Sequence, residues 1–207
     1  MESDLGGLIR LQKWQVEPAS EVLSRAFIDD PELIRFIPEQ HKRTKLLHSL
    51  FRMTLNHGVL HGEVYAVSPD MEGIAMWLPS RASDITLWTM IRCGGPALLF
   101  KASWKLLWKM KRDDAFVSRL RKRLAPFPHW YLAVLGVDPG FQGKGYARRL
   151  LQPMLARLEV ANSPCYVETS TEEYIQIYQH FGFRVIYEVV LPGSGSRMWA
   201  MLKGKGG

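Results

Sequence analysis

The sequence predicts an α/β (α+β) chain in which short strands alternate with amphipathic helices. Three observations carry this. Apolar residues recur at helical spacing in several segments, as in Leu46, Leu47, Leu50, Phe51 and Leu55. Apolar runs of strand length, such as Trp130–Val137, stand between turn residues. Around residue 140 the two patterns meet in a strand, a glycine-rich turn and a helix. The 207 residues suit one domain, 1–207, with a core over about 8–203.

Leu8–Lys13 alternates loosely and predicts a first strand. Pro18–Ile28 predicts a helix with Val22, Leu23, Ala26 and Phe27 on one face, and Pro31–Ile37 a short helix or turn. Thr44–Asn56 predicts a second long helix, broken by Gly58 and Gly62. Val64–Val67 and Gly73–Leu78 read as a hairpin around Pro69-Asp70. Residues 83–124 read as two or three helices, interrupted at Gly94-Gly95-Pro96 and near Asp113-Asp114. Then follow strand 130–137, helix 145–162, strand 164–169, helix 171–180 and strands 184–190 and 197–202. Leu150, Leu151, Met154, Leu155 and Leu158 form the stripe of helix 145–162, and Pro153 inside it predicts a kink.

Composition narrows the function classes. Hydrophobic content of 47% and charged content of 23% are those of a globular protein. The net charge of +7 suits a polyanionic ligand, or simple solubility. No zinc pattern or nucleic-acid motif is present, so no nucleic-acid partner is expected. Cys93 and Cys165 form no C-x-x-C pair and read as reduced thiols of a cytoplasmic protein, with Cys165 in the core rather than a nucleophile. The first residues carry acid and no apolar run, so no signal peptide is expected. No run approaches the ~20 apolar residues of a membrane span.

The glycine-rich turn defines a ligand class. Gly143 and Gly145 let a ligand approach the backbone, and the first turn of the helix after them offers free N–H groups to a phosphate. A P-loop needs a Gly where Asp138 stands, and Ser or Thr where Gly145 stands. A dinucleotide fingerprint would need its third Gly at Arg148. What remains is Gln142-x-x-Gly145-x-Ala147, preceded by Val137-Asp-Pro139.

That pattern resembles the acyl-CoA pyrophosphate loop, Q/R-x-x-G-x-G/A, of the GNAT N-acetyltransferase superfamily. A second signature of that family, a helical Tyr followed by x-x-x-G-F, is matched by Tyr178, Gly182 and Phe183. With Gly-Val-Asp-Pro, Glu168-Thr-Ser and Met198-Trp199-Ala-Met201, the chain looks like the branch containing puromycin N-acetyltransferase. The likeness is strong over about 127–203, weaker over 8–80 and poor over 81–126. It implies a GNAT-like mixed, mostly antiparallel central sheet flanked by helices, with a helical insertion at about 81–126. It implies acetyl-CoA as co-substrate, without a metal, and transfer of the acetyl group to the amine of a small molecule by direct attack on the thioester. A non-catalytic acyl-CoA-binding protein and an acetyltransferase of protein or peptide amines are the alternatives. A monomer or a homodimer fits equally.

The resemblance also implies the site. Strands 130–137 and 164–169 splay at their C-terminal ends, and pantetheine pairs with the backbone of Leu135 and Val137. A free N–H near Leu135 or Gly136 stabilises the oxyanion. Amides from Gln142 through Gly143, Lys144, Gly145 and Tyr146 to Ala147 hold the pyrophosphate, with Lys144 and Arg148 at its rim or merely solvated. Tyr178 is the general acid, since a phenol titrating near 10 keeps its proton at neutral pH. The family often has Asn four residues earlier, touching the coenzyme; here Tyr174 stands there. Glu168 is a base for the ammonium proton, directly or through water, or else a structural carboxylate. His129 could titrate near neutrality or cap its strand. Glu72 reads as solvated. Trp77, Trp130 and Tyr65 line an amine pocket or belong to the core.

Ala97–Arg112 remains. As a helix it puts Phe100, Trp104, Leu107 and Trp108 on one face and Lys101, Lys105 and Lys109 on another. An interfacial membrane helix reads the same way. Packing of the aromatic face on the domain, over the acceptor site, explains the spacing without a new partner. On that reading no membrane partner is expected.

Overall fold

The computed structural model describes residues 5–30, 33–34, 37–84, 92–93 and 104–204. One sheet of seven strands runs in the order β1 (Ile9–Arg10), β2 (Glu63–Ala66), β3 (Gly73–Pro79), β4 (Trp130–Val137), β5 (Cys165–Thr169), β7 (Arg197–Lys203), β6 (Arg184–Val190). Every neighbouring pair is antiparallel except β4 and β5, which are parallel. The expected mixed, mostly antiparallel sheet is therefore present.

Helices cover both faces, as the alternation of side chains along the strands requires. Cys165 and Val167 point to one face. There α4 (Tyr146–Val160) and α5 (Glu172–His180) bury Leu150, Leu151, Met154 and Tyr178. Tyr166 points to the other face, beneath the end of α3 (Trp104–Leu124). On that side α1 (Val16–Ala26) and α2 (Gln40–His61) lay Leu23, Leu47, Phe51 and Leu55 over β2 and β3. Trp77 and Tyr65 are core residues, not pocket walls.

Several boundaries differ from expectation for identifiable reasons. The first strand keeps only Ile9–Arg10, because a short 3-10 turn at Lys13–Gln15 leads straight into α1. Gly58 does not break α2 but lies inside it, where a Cβ would fall 2.8 Å from Val64 Cγ2, also crowding Met76. Here glycine serves the crossing of α2 over the sheet. Asp113-Asp114 does not interrupt α3 either; Asp113 accepts from the amides of Gly193 (2.6 Å) and Ser194 (2.9 Å) and ties the helix to the β6–β7 turn. Pro153 stays within α4. The break expected at 94–96 and most of the segment at 31–37 lie outside the described residues.

The aromatic face of α3 does not pack on the domain. Trp104 is 80% and Trp108 53% exposed. The residues that anchor this end of the helix are Leu106 and Met110, which join Ile37, Leu46, Met53 and Cys93. The arrangement expected from the spacing was thus off by about a third of a turn.

Gly62 ends α2, and a Cβ there would overlap the carbonyl oxygen of Trp77 and lie 2.7 Å from Leu78 Cδ2. Gly62→Ala is expected to lower stability by ~1–3 kcal/mol, the usual range for overpacking, in urea unfolding. An unchanged midpoint would contradict this packing.

Candidate active site

β4 and β5 pair only at Trp130 with Cys165, Tyr131 with Tyr166 and Leu132 with Val167. Beyond Leu132 the two strands separate. At the same place β4 carries a bulge against β3: Met76 pairs with Val134 and Trp77 with Leu132, leaving Ala133 as the extra residue. A bulge increases local twist and bends its strand, which turns β4 away from β5. The β5-facing backbone edge of Ala133–Val137 is left without a strand partner.

Two cavities open along this edge. One, of about 350 Å³, is lined by Leu135, Gly136, Val137 and the turn from Phe141 to Ala147. The other, of about 450 Å³, lies toward α1 and α2 and is lined by Phe27, Asp29, Phe51, Ala133, Glu168 and Thr169, among others. Leu135, Gln142, Tyr174 and Tyr178 line both. Gly136 owes its identity to α1: a Cβ would fall 2.6 Å from Leu23 Cδ2 and 3.1 Å from Phe27 Cε2.

The turn has the conformation its glycines allow. Gly143 (φ +75°) and Gly145 (φ +80°) are left-handed, and open space surrounds the position of a Cβ at each. Gly145 caps α4 at its N-terminus. Among the described residues, the amides from Gly143 to Arg148 donate to no carbonyl. They form a run of free donors at the positive end of a helix. Asp138 braces the turn, accepting from the amide of Gly140 (3.1 Å) and from Arg25 Nε (2.7 Å). Gln142 Nε2 donates to the carbonyl of Val137 at 3.1 Å. The exposed Lys144 reaches back to the carbonyl of Gly140 (2.9 Å), so it sits at the rim. Arg148 reaches Gln152 along α4. Glu72 is half-buried rather than freely solvated: it accepts from Ser68 Oγ at 2.5 Å and from Tyr146 Oη at 3.5 Å, and the first of these bonds holds its carboxyl below the usual range.

Tyr178 is 7% exposed, its ring edge-on to Phe183, yet it lines both cavities. No group among the described residues hydrogen-bonds its hydroxyl. Burial, with the neighbouring Tyr174 and Cys165, pushes its pKa well above the ordinary phenol range, so it holds its proton. Tyr174 is half-exposed.

Glu168 is deeply engaged. Its Oε1 accepts from Arg121 Nε (3.1 Å), and its Oε2 from Arg121 Nη2 (2.9 Å) and from Tyr131 Oη (2.9 Å). Arg121 lies over the Tyr131 ring at 4.0 Å and reaches the carbonyl of Ser83 (3.3 Å) and Asp84 (3.8 Å). The two side chains are 8% and 9% exposed. This is the structural arrangement that the sequence left open beside a role as base. Arg121 itself was missed, because in the run Arg119-Leu-Arg-Lys-Arg123 it looks like an ordinary solvated cation. Phe27, Asp29 and Phe51 of the second cavity were missed too, since no spacing joins residues of two helices to β4.

The remaining candidates fall away from the cavities. His129 is buried, its Nδ1 2.8 Å from the carbonyl of Phe127, and burial pushes its pKa down, so it is neutral. Burial pushes the Cys165 thiol up, as suits a core cysteine. Trp130 is half-buried with Arg157 over its ring at 5.5 Å. Among the described residues no group of His, Cys, Asp and Glu could hold a metal ion, and no helix is long and apolar enough to cross a membrane.

Comparison with known proteins agrees with this geometry. Residues 106–185 match the acetyltransferase (GNAT) domain family. This stretch carries the match to a GNAT acetyltransferase domain, and the N-acetyltransferase relatives support a transferase enzyme. It is 26% identical over 188 residues to an uncharacterised N-acetyltransferase of Schizosaccharomyces pombe, covering 84% of this chain and 72% of that one. Its fold is similar to a Corynebacterium glutamicum protein described as histone acetyltransferase HPA2 and related acetyltransferase, with a TM-score of 0.65 at 21% identity over 97% of this chain and 96% of that one. It is also similar to arylalkylamine N-acetyltransferase 2 from Aedes aegypti, with a TM-score of 0.53 at 16% identity over 95% and 97% of the two chains.

Removing one member of a buried ion pair leaves the other uncompensated, at a cost of ~3–5 kcal/mol. Arg121→Ala is expected to lose that much stability in urea unfolding. The double variant Arg121→Met with Glu168→Gln should recover part of it. A single variant as stable as the parent would show that the pair carries no such constraint.

Proposed function

We propose that this enzyme moves an acetyl group from acetyl-CoA to the amine of a small molecule by direct attack on the thioester. The carrying observation is the end of β4–β5 pairing at Leu132 and Val167, which opens a backbone edge between the two cavities. The pantetheine arm pairs with that edge at Leu135 and Val137. The free amides from Gly143 to Ala147 hold the pyrophosphate, with Gln142 fixing the turn and Lys144 at its rim. The amine enters from the cavity walled by Phe27 and Phe51. Its lone pair attacks the thioester carbonyl carbon, and an N–H of β4 near Leu135 or Gly136 faces the developing oxyanion. Such a donor is worth on the order of 3 kcal/mol. When the carbon–sulfur bond breaks, Tyr178 gives its phenolic proton to the thiolate, the new amide nitrogen releases its extra proton to water, and water returns a proton to the Tyr178 phenolate. Tyr174 takes the place of the family's Asn beside the coenzyme.

We assign the acceptor's ammonium proton to water rather than to Glu168. The motive is that both carboxylate oxygens of Glu168 already accept from Arg121 and Tyr131. Glu168 then positions the end of β5. The resemblance to the branch containing puromycin N-acetyltransferase rests on motifs of the coenzyme half and does not carry the acceptor.

Three outcomes test this reading. Gly145→Val forces a β-branched residue into a left-handed conformation beside the phosphate site, and acetyl-CoA binding by calorimetry should weaken by about tenfold or more, roughly 1.4 kcal/mol. Unchanged affinity in a folded variant would remove the loop from the site. Tyr178→Phe should lower kcat by ~100-fold while leaving acetyl-CoA affinity near the parent's, because the proton is needed only as the thiolate leaves. In the parent, kcat should show no loss ascribable to this phenol up to about pH 10, the ordinary phenol value. Glu168→Gln should lower stability without changing the acid-side pH profile of kcat/KM; a loss confined to acidic and neutral pH would restore Glu168 as the base.

A further inference from the structure

The exposed side of α3 is not an ordinary solvated helix face. Trp104, Trp108, Lys111, Arg112, Arg119 and Lys122 recur at intervals of three, four or eight residues and so share one stripe, along with Ala115. Every residue of this stripe is exposed. It runs from Trp104 to Lys122, about 27 Å at the α-helical rise. No carboxylate lies on it. Asp113 faces the domain and is taken by the amides of Gly193 and Ser194. Asp114 lies off to the side, about a quarter turn away. Lys122 pairs with Asp84 (2.6 Å), and Arg112 sits over the Trp108 ring at 5.3 Å. The core side of the helix is satisfied separately by Leu106, Leu120 and Arg121. Trp104 is left largely in the open and Trp108 half so, and neither belongs to the apolar clusters that anchor the helix among the described residues.

We propose that this stripe docks the enzyme on an anionic phospholipid surface. Charge complementarity selects a polyanion, since every charged side chain on the stripe is a cation, with only Lys122 paired to a carboxylate among the described residues, and the whole chain carries +7. The tryptophans select a membrane among polyanions. An indole has an apolar body and one N–H donor, and it settles at the boundary between headgroups and acyl chains. Both indoles stand at one end of a straight cationic row, so the helix lies flat with its N-terminal end inserted. The exposure of Trp104 and Trp108 differs from the expectation that their face is buried, and the proposed docking departs from the expectation of no membrane partner. Docking is peripheral and salt-dependent, because it rests on a few cations and two shallow anchors.

The test is co-sedimentation of the full chain with vesicles of phosphatidylcholine, with and without roughly one third phosphatidylserine. The parent should bind only the anionic vesicles, with a blue shift of tryptophan emission, and should dissociate as salt rises. Lys111→Glu with Arg119→Glu should raise the lipid concentration for half-binding by about tenfold or more, taking about fivefold for each basic side chain near an anionic surface. Trp104→Ala with Trp108→Ala should abolish the blue shift and weaken binding. Both double variants should keep the parent's urea midpoint and its coenzyme affinity, since the stripe touches neither cavity. No binding at low salt, or binding that ignores both variants, would overturn the proposal. So would displacement from the vesicles by single-stranded RNA at lower concentration than by free anionic lipid, which would make the stripe a nucleic-acid surface.

Discussion

The site depends on two parallel strands that pair for three residues and then part. Parallel strands normally run on together, because every unpaired backbone group lost from the ladder must find water or another partner. Here the separation is enforced from both sides. The extra residue Ala133 in β4 changes its direction against β3, while Arg121 holds the end of β5 through Glu168. The open edge is thus a built feature of the sheet, and it lies where two cavities meet.

The Arg121–Glu168 pair accounts for the inserted helix. A guanidinium buried this deeply costs several kcal/mol of desolvation, which only a bidentate carboxylate and further acceptors offset. Burial alone would favour its neutral form, but the neighbouring Tyr131 and Glu168 outweigh it and raise its pKa. The carboxylate, the Tyr131 ring and the carbonyl of Ser83 come from three separate segments. One side chain thereby fixes α3, β4 and β5 relative to one another. The same fixation leaves the opposite side of α3 facing outward, tryptophans included.

Much of this was legible in the sequence. β4 and β6 begin and end where their apolar runs do, and α4 follows from its stripe and its glycine cap. The conformation of the 142–147 turn was legible because left-handed backbone at Gly143 and Gly145 demands glycine at those positions. Tyr178, singled out through Gly182-Phe183, does line both cavities. The cavity toward α1 and α2 was not legible, because Phe27, Phe51 and Glu168 come from elements far apart in the chain, and only the folded sheet brings them together. Nor was Arg121, whose partner lies 47 positions away. The facing of α3 was misjudged because its aromatic and cationic residues are interleaved. Periodicity then names a stripe without saying which stripe the core will take.

The most direct measure of the account is amide hydrogen exchange with and without acetyl-CoA. Binding along the open edge predicts slowed exchange at β5-facing amides within Ala133–Val137 and at the amides from Gly143 to Arg148, with β2 and β6 unchanged. Slowed exchange elsewhere with these amides unaffected would contradict it.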